Sequence, residues 1–219
     1  MKEEYYNFEN IDLQASKFLK IVEPYRKKHK FELNKTQIAL LVLDMQKFFL
    51  NENSHAYIPS SKAIIPKIKK LQEFFLNHNL TVIQTRHLNT IKDAGQMVRW
   101  WNDLITIDNP LSIIIDELVD NRIEIIHKTQ YDAFFNTNLE EILKNKGVKQ
   151  ILITGVMAHL CCETTARSAF MRNFEVFFVI DGTATYNRNF HLATLLNLSH
   201  GFAIPILTQE IINFLKNEN

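Results

Sequence analysis

From Thr36 onward the chain alternates short apolar runs with stretches of helical spacing, and this alternation constrains the fold more than any other feature. The runs lie at 38–44, 80–85, 122–128, 149–155, 174–181 and 202–207, and the helical stretches at 62–78, 94–104, 138–146, 160–172, 189–199 and 208–217. Strands that are apolar along their whole length are buried on both faces, and helix-length connections between them favour parallel pairing. The expected fold is α/β: a three-layer α/β/α sandwich around a six-stranded, mainly parallel sheet of Rossmann-type topology. With 219 residues, 46% of them hydrophobic, the chain can bury one full core, so residues 34–219 are expected to form a single domain. Residues 1–33 mix Tyr5, Tyr6, Phe8, Phe18 and Tyr25 with acids and bases. They are expected to form an arm that packs on the body or on a neighbouring subunit, since Gly and Ser are too scarce for a flexible linker.

Charge narrows the range of partners. The formal net charge is +1, from 25 basic and 24 acidic residues, and no broad basic stripe of the kind that attracts nucleic acid is present. The group Arg26-Lys27-Lys28-His29-Lys30 is balanced by Glu3, Glu4, Glu9 and Glu23 and is read as a solvated face. The only cysteines, Cys161 and Cys162, are adjacent, which makes a sound disulfide between them geometrically poor. The N-terminal residues MKEEYYNFEN do not resemble a secretory signal, and no apolar run approaches the roughly 18 residues of a membrane span. A cytoplasmic protein acting on a small-molecule substrate, with neither membrane nor nucleic-acid partner, is therefore expected.

Open parallel sheets bind ligands beyond the carboxyl ends of their strands. Asp44 closes the first run, Arg86-His87 follow the second, Lys128 closes the third, and Cys161 follows the fourth in the segment ILITGVMAHLCC. A thiol, a carboxylate and an ammonium at one rim can divide the labour of nucleophilic catalysis, with the carboxylate moving protons and the cation steadying the charges. Singly, each has a plainer reading: Asp44 as a helix cap, Lys128 as a solvated strand end, Cys161 as packing. The first turn of a helix at 160–172 is expected to lower the Cys161 pKa below the free value of about 8.5. Cys162, turned about 100° further round that helix, is expected to face the core. Phe48, Trp100, Trp101, Tyr131 and Phe135 are candidate pocket aromatics, with Tyr131 and Trp100 favoured, and His87 is expected to line the pocket or cap a loop.

Three segments carry a resemblance: LLVLDMQKFF around Asp44, HKTQYDAFFNTNLEEIL around Lys128, and ITGVMAHLCCETTARSAFMRNFEVFFVIDGTATY around Cys161. Over residues 36–207 the chain resembles the isochorismatase-like cysteine hydrolase superfamily. That resemblance implies a catalytic triad of Asp44, Lys128 and Cys161, and a cis peptide between Val156 and Met157. It also implies an oxyanion hole from the backbone N–H groups of Met157 and Cys161, and a homodimer or homotetramer. The implied reaction is hydrolysis of an amide or related C–N bond through a thioester on Cys161, without a cofactor.

Two branches of the superfamily differ from this chain. The nicotinamidase branch carries an Asp-x-His pattern after the second strand and a further histidine for a metal, whereas Thr85-Arg86-His87 lacks the aspartate, so no metal is expected. True isochorismatases carry glycine at the position of Cys161, glutamine at that of His87, and a Trp-Gly-Pro-Gly turn near Trp100-Trp101-Asn102-Asp103. Vinyl-ether hydrolysis by Asp44 and Lys128, and a thiol redox or binding role for the vicinal cysteines, stand as alternatives.

Overall fold

The computed structural model describes residues 1–29, 32–101 and 103–216. Lys30 of the basic group, Asn102 of the expected 94–104 helix and Asn217 of the expected last helix lie outside the described residues. The elements, in order, are α1 (Ile11–Arg26), β1 (Ile38–Leu43), α2 (Lys47–Leu50), α3 (Ser61–Asn77), β2 (Thr81–His87), α4 (Met97–Trp100), β3 (Glu124–Lys128), α5 (Leu139–Asn145), β4 (Gln150–Val156), α6 (Glu163–Met171), β5 (Glu175–Ala184), α7 (Arg188–Gly201), β6 (Ile204–Ile206) and α8 (Thr208–Lys216).

The six strands form one wholly parallel sheet in the order β3-β2-β1-β4-β5-β6. From β1 the chain first builds outward through β2 and β3, then crosses back to β4 and builds the other way. Right-handed crossovers running in opposite directions put their helices on opposite faces, giving three layers. Helices α3 and α8 pack together against the sheet, as do α6 and α7. The crevice between the ends of β1 and β4 is the point where the direction of winding reverses, and there the sheet opens toward a ligand.

Strands β1 and β4 are buried at every position, as their unbroken apolar runs require. They approach so closely at Gly155, paired with Leu43, that a Cβ on Gly155 would lie 2.0 Å from the Leu43 carbonyl oxygen. Gly155 also has φ +105°, a conformation that side chains rarely adopt. One step beyond β1, Asp44 takes a left-handed φ of 52°, which swings its carboxylate out of the strand's alternation.

The segment before Thr36 contains a helix that composition did not reveal. Ile11, Ala15, Phe18 and Val22 recur at helical spacing and are all buried, so α1 lays one apolar stripe on the body, mainly against α7 and β5. Arg26 is spent on a two-point ion pair with Glu210, and Lys27 pairs with Glu23. The expected helix at 94–104 shrinks to α4. Gly95 adopts a left-handed φ of 57° just before it, and at Trp101 the backbone turns extended. No described helix is long and apolar enough to cross a membrane.

Candidate active site

Asp44, Lys128 and Cys161 meet in one buried knot. Lys128 Nζ stands 2.8 Å from Asp44 Oδ2 and 3.3 Å from Cys161 Sγ, and it also donates to the Gln130 carbonyl at 2.9 Å. Both members of the ion pair have fully buried side chains, so the charges are stabilised by each other and by these fixed dipoles rather than by water. Thr85 orients the carboxylate: its hydroxyl donates to Asp44 Oδ1 at 2.6 Å and accepts from the Asp44 backbone N–H at 3.1 Å.

Burial would raise the Asp44 pKa, but Lys128, His87 and a hydrogen bond from the Cys161 thiol hold it below the ordinary carboxylate value. Burial likewise pulls Lys128 down, and Asp44 and Cys161 more than offset this, keeping the ammonium charged. The thiol departs from the sequence expectation. Burial pushes the Cys161 pKa up to about 12; Lys128 opposes the rise and Asp44 adds to it. The reason is local: the expected helix at 160–172 begins instead with a π-helical turn, Ala158–Cys162, and α6 starts only at Glu163. Cys161 is 6% exposed within that turn, so desolvation outweighs any dipole. The resting site is therefore a carboxylate–ammonium pair beside a neutral thiol. Cys162 points into the core, its thiol 3.9 Å from the Thr154 carbonyl. The Val156–Met157 peptide is cis.

His87 is a neutral imidazole whose tautomer is set by its neighbours. The Asn89 Nδ2 group donates to the Thr129 carbonyl and to Asp93, which leaves Asn89 Oδ1 as the acceptor facing His87 Nε2 at 2.6 Å. Nε2 is placed to donate to it, and Nδ1 lies 3.4 Å from Lys128 Nζ. Burial and the Lys128 charge depress the His87 pKa to about 4. Gln46 clamps the His87 backbone from both sides, accepting from its N–H at 2.8 Å and donating to its carbonyl at 3.0 Å. Among the described residues no cluster of three or more His, Cys, Asp or Glu side chains could hold a metal ion.

Cys161 forms the floor of a pocket of about 550 Å³, counting its open mouth. Phe48, His87, Tyr131 and Met157 line it, together with Phe49, Trp101, Leu160 and Tyr186, so the structure brings most of the residues singled out in the sequence to one cavity. Trp100 is the correction. It is 77% exposed and points away, while Trp101 turns inward and donates its indole N–H to the Tyr131 hydroxyl at 2.7 Å. A four-residue helix ending at Trp100 puts the two indoles on opposite sides, and the sequence offered nothing to choose between adjacent tryptophans. Phe135 is half-exposed and is not among the lining residues. Thr85, Gln46 and Asn89 were not singled out as supports of the site. Gln46 carried a signal, since it lies two residues after Asp44 in the segment LLVLDMQKFF, whereas Thr85 and Asn89 carried none.

Residues 38–210 match the isochorismatase domain. Nicotinamidase 3 of Arabidopsis thaliana is 39% identical over 170 residues, covering 75% of this chain and 82% of that protein. Enterobactin synthase component B of Escherichia coli is 31% identical over 180 residues, covering 80% of this chain but only 62% of that protein. Among solved structures, a cysteine hydrolase from Pseudomonas syringae pv. phaseolicola superposes with a TM-score of 0.82 at 24% identity, covering 85% of this chain and 96% of that one.

Proposed function

The chain belongs to the isochorismatase family and is a hydrolase, and from that premise we propose that it is a metal-independent cysteine amidohydrolase acting on a small, planar amide or carbamoyl compound. One observation carries the reading: Cys161 lies at the pocket floor with its sulfur 3.3 Å from a lysine that is itself paired with Asp44. In the proposed cycle the Asp44 carboxylate takes the thiol proton as Sγ bonds to the substrate carbonyl carbon. A thiol held neutral at rest needs such a base at the moment of attack. Negative charge passes to the substrate oxygen, which the backbone N–H groups of Met157 and Cys161 are proposed to receive. Collapse of the adduct expels ammonia or an amine, which leaves with the proton from Asp44. Water, deprotonated by Asp44, then cleaves the thioester and restores the thiol. Lys128 remains charged throughout and keeps the carboxylate in place.

Pocket chemistry supports an amide over a vinyl ether such as isochorismate, which carries two carboxylates. Among the described residues the lining contains no lysine or arginine, includes Asp103, and is dominated by aromatic and aliphatic walls. Similarity to nicotinamidase 3 makes nicotinamide the first compound to try. Ammonia release from nicotinamide and from an N-carbamoyl amine is expected, and Cys161→Ala is expected to abolish it while leaving the fold intact. Full turnover in that variant, or pyruvate release from isochorismate in its place, would contradict the reading.

A further inference from the structure

The first six residues lie outside the segment that matches the family, residues 38–210, yet they reach the active site. We propose that residues Lys2 to Tyr6 are a positioning strap that clamps together two walls of the pocket and steadies the turn that carries Cys161. The clamp is built from Lys2. Its Nζ donates to the His55 carbonyl at 2.5 Å and sits 4.8 Å from the centroid of the Tyr186 ring, and both His55 and Tyr186 line the pocket. The next residue ties the same wall, since the Glu3 N–H donates to the Tyr186 carbonyl at 2.7 Å. Five residues after His55, the Ser60 hydroxyl at the start of α3 accepts from the N–H groups of both Tyr5 and Tyr6, each at 3.0 Å. That serine is the N-cap residue of α3, yet its side chain makes no capping bond.

Beneath the clamp, Tyr5 connects the strap to the nucleophile's turn. Its hydroxyl accepts from the Thr185 N–H at 3.0 Å and bonds His191 Nδ1 at 2.9 Å. Thr185 Oγ1 in turn bonds Nδ1 of His159 at 2.5 Å, and His159 belongs to the π-helical turn that holds Cys161. His159 is fixed from the other side by stacking on Phe190, with centroids 4.5 Å apart and planes 3° from parallel. The strap therefore touches the walls through Lys2 and reaches the turn that carries Cys161 through Tyr5 by way of Thr185.

Lys2 is exposed, so replacing it leaves the core intact and separates positioning from stability. Loss of the clamp loosens the mouth. Lys2→Ala is expected to raise KM for the amide about five- to tenfold with kcat within about twofold, because uniform binding is what a wall supplies. It is also expected to speed iodoacetamide alkylation of Cys161 about threefold or more, since a looser mouth admits the reagent more often. Lys2→Arg keeps a cation over Tyr186 and a donor for the His55 carbonyl, and is expected to restore both values. Tyr5→Phe, which removes only the hydroxyl, is expected to lower kcat about tenfold with little change in KM, as misplacement of the attacking group does. The turnover readout rests on the amidohydrolase reading, whereas the alkylation readout does not. If no amide is turned over but alkylation responds to Lys2 as described, the proposed reaction fails and the strap stands. Alkylation and kinetics in Lys2→Ala equal to those of the parent, or a change that Lys2→Arg does not recover, would overturn the strap.

Discussion

At the residue scale the proposed chemistry turns on which group holds the proton. Burial keeps the Cys161 thiol neutral, so the proposed attack requires a correctly aimed Asp44, and the Thr85 hydroxyl fixes that carboxylate. Thr85→Val preserves shape but removes the hydroxyl that donates to Oδ1. Hydrogen bonds to charged groups contribute roughly 1.5–3 kcal/mol, so kcat is expected to fall roughly 10- to 100-fold, with recovery in Thr85→Ser, measured by steady-state ammonia release. Asp44, Lys128 and Cys161 were legible in the sequence because each lies where a buried strand ends and because their flanking segments are long and specific. Thr85 and Asn89 were not legible: Thr85 bonds Asp44, 41 residues away, Asn89 bonds Thr129, 40 residues away, as well as its near neighbours His87 and Asp93, and an isolated Thr or Asn at or just past a strand end carries no pattern. The direction of the thiol's pKa was misjudged for a related reason. A helix start was inferred from apolar spacing, but the chain makes a π turn there and sinks the sulfur, and spacing alone does not report depth.

At the scale of elements, the site depends on how closely β1 and β4 approach. Gly155→Ala would force a methyl group to within 2.0 Å of the Leu43 carbonyl in a backbone conformation that disfavours side chains. The variant is expected to lose at least about 3 kcal/mol of stability or fail to fold, as read by urea unfolding. The loop after β2 shows the opposite tolerance. Trp100→Ala is expected to leave stability and KM unchanged, because that indole is in solvent, while Trp101→Ala strips an aromatic wall and the partner of the Tyr131 hydroxyl and is expected to raise KM about tenfold. All six strands were legible from short apolar-rich runs, with ends shifted by a few residues at most, although the edge strand β3 is exposed at three of its five positions. Helix α1 was not, because its charged residues and Pro24 mask a stripe that repeats only every three to four residues. The loop at 88–115 was misread as more helical than it is, since its path follows tertiary hydrogen bonds such as that from the Asn89 N–H to the Ile105 carbonyl.

At the scale of the whole molecule, two neutral histidines set the response to acid. Burial depresses His87 from 6.5 to about 4 and His191 from 6.5 to about 3. His191 is held between the Tyr5 hydroxyl on Nδ1 and Thr183 Oγ1 on Nε2, so the N-terminal segment is anchored to the core through an uncharged ring. In both cases the unfolded chain binds a proton at higher pH than the folded one. Their contribution is therefore complete above about pH 6.5 and is lost as pH falls toward 4 and then 3. Thermal unfolding is expected to show a melting temperature that drops steeply from pH 6.5 to 4, and His191→Gln is expected to flatten that limb; a parental melting temperature that stays level across the window would refute the assignment. Asp44 adds to acid loss as pH falls from its ordinary value of 3.8 through its depressed one, and raised Cys161 acts at the other extreme, its contribution fading from about pH 9 upward.

The most direct test of the central claim is to quench the enzyme in acid during turnover of nicotinamide and weigh the peptide that contains Cys161 and Cys162. An acyl group on Cys161, none on Cys162, and neither adduct nor turnover in Cys161→Ser are expected. Steady hydrolysis with no acyl-enzyme and undiminished turnover in Cys161→Ser would contradict the claim.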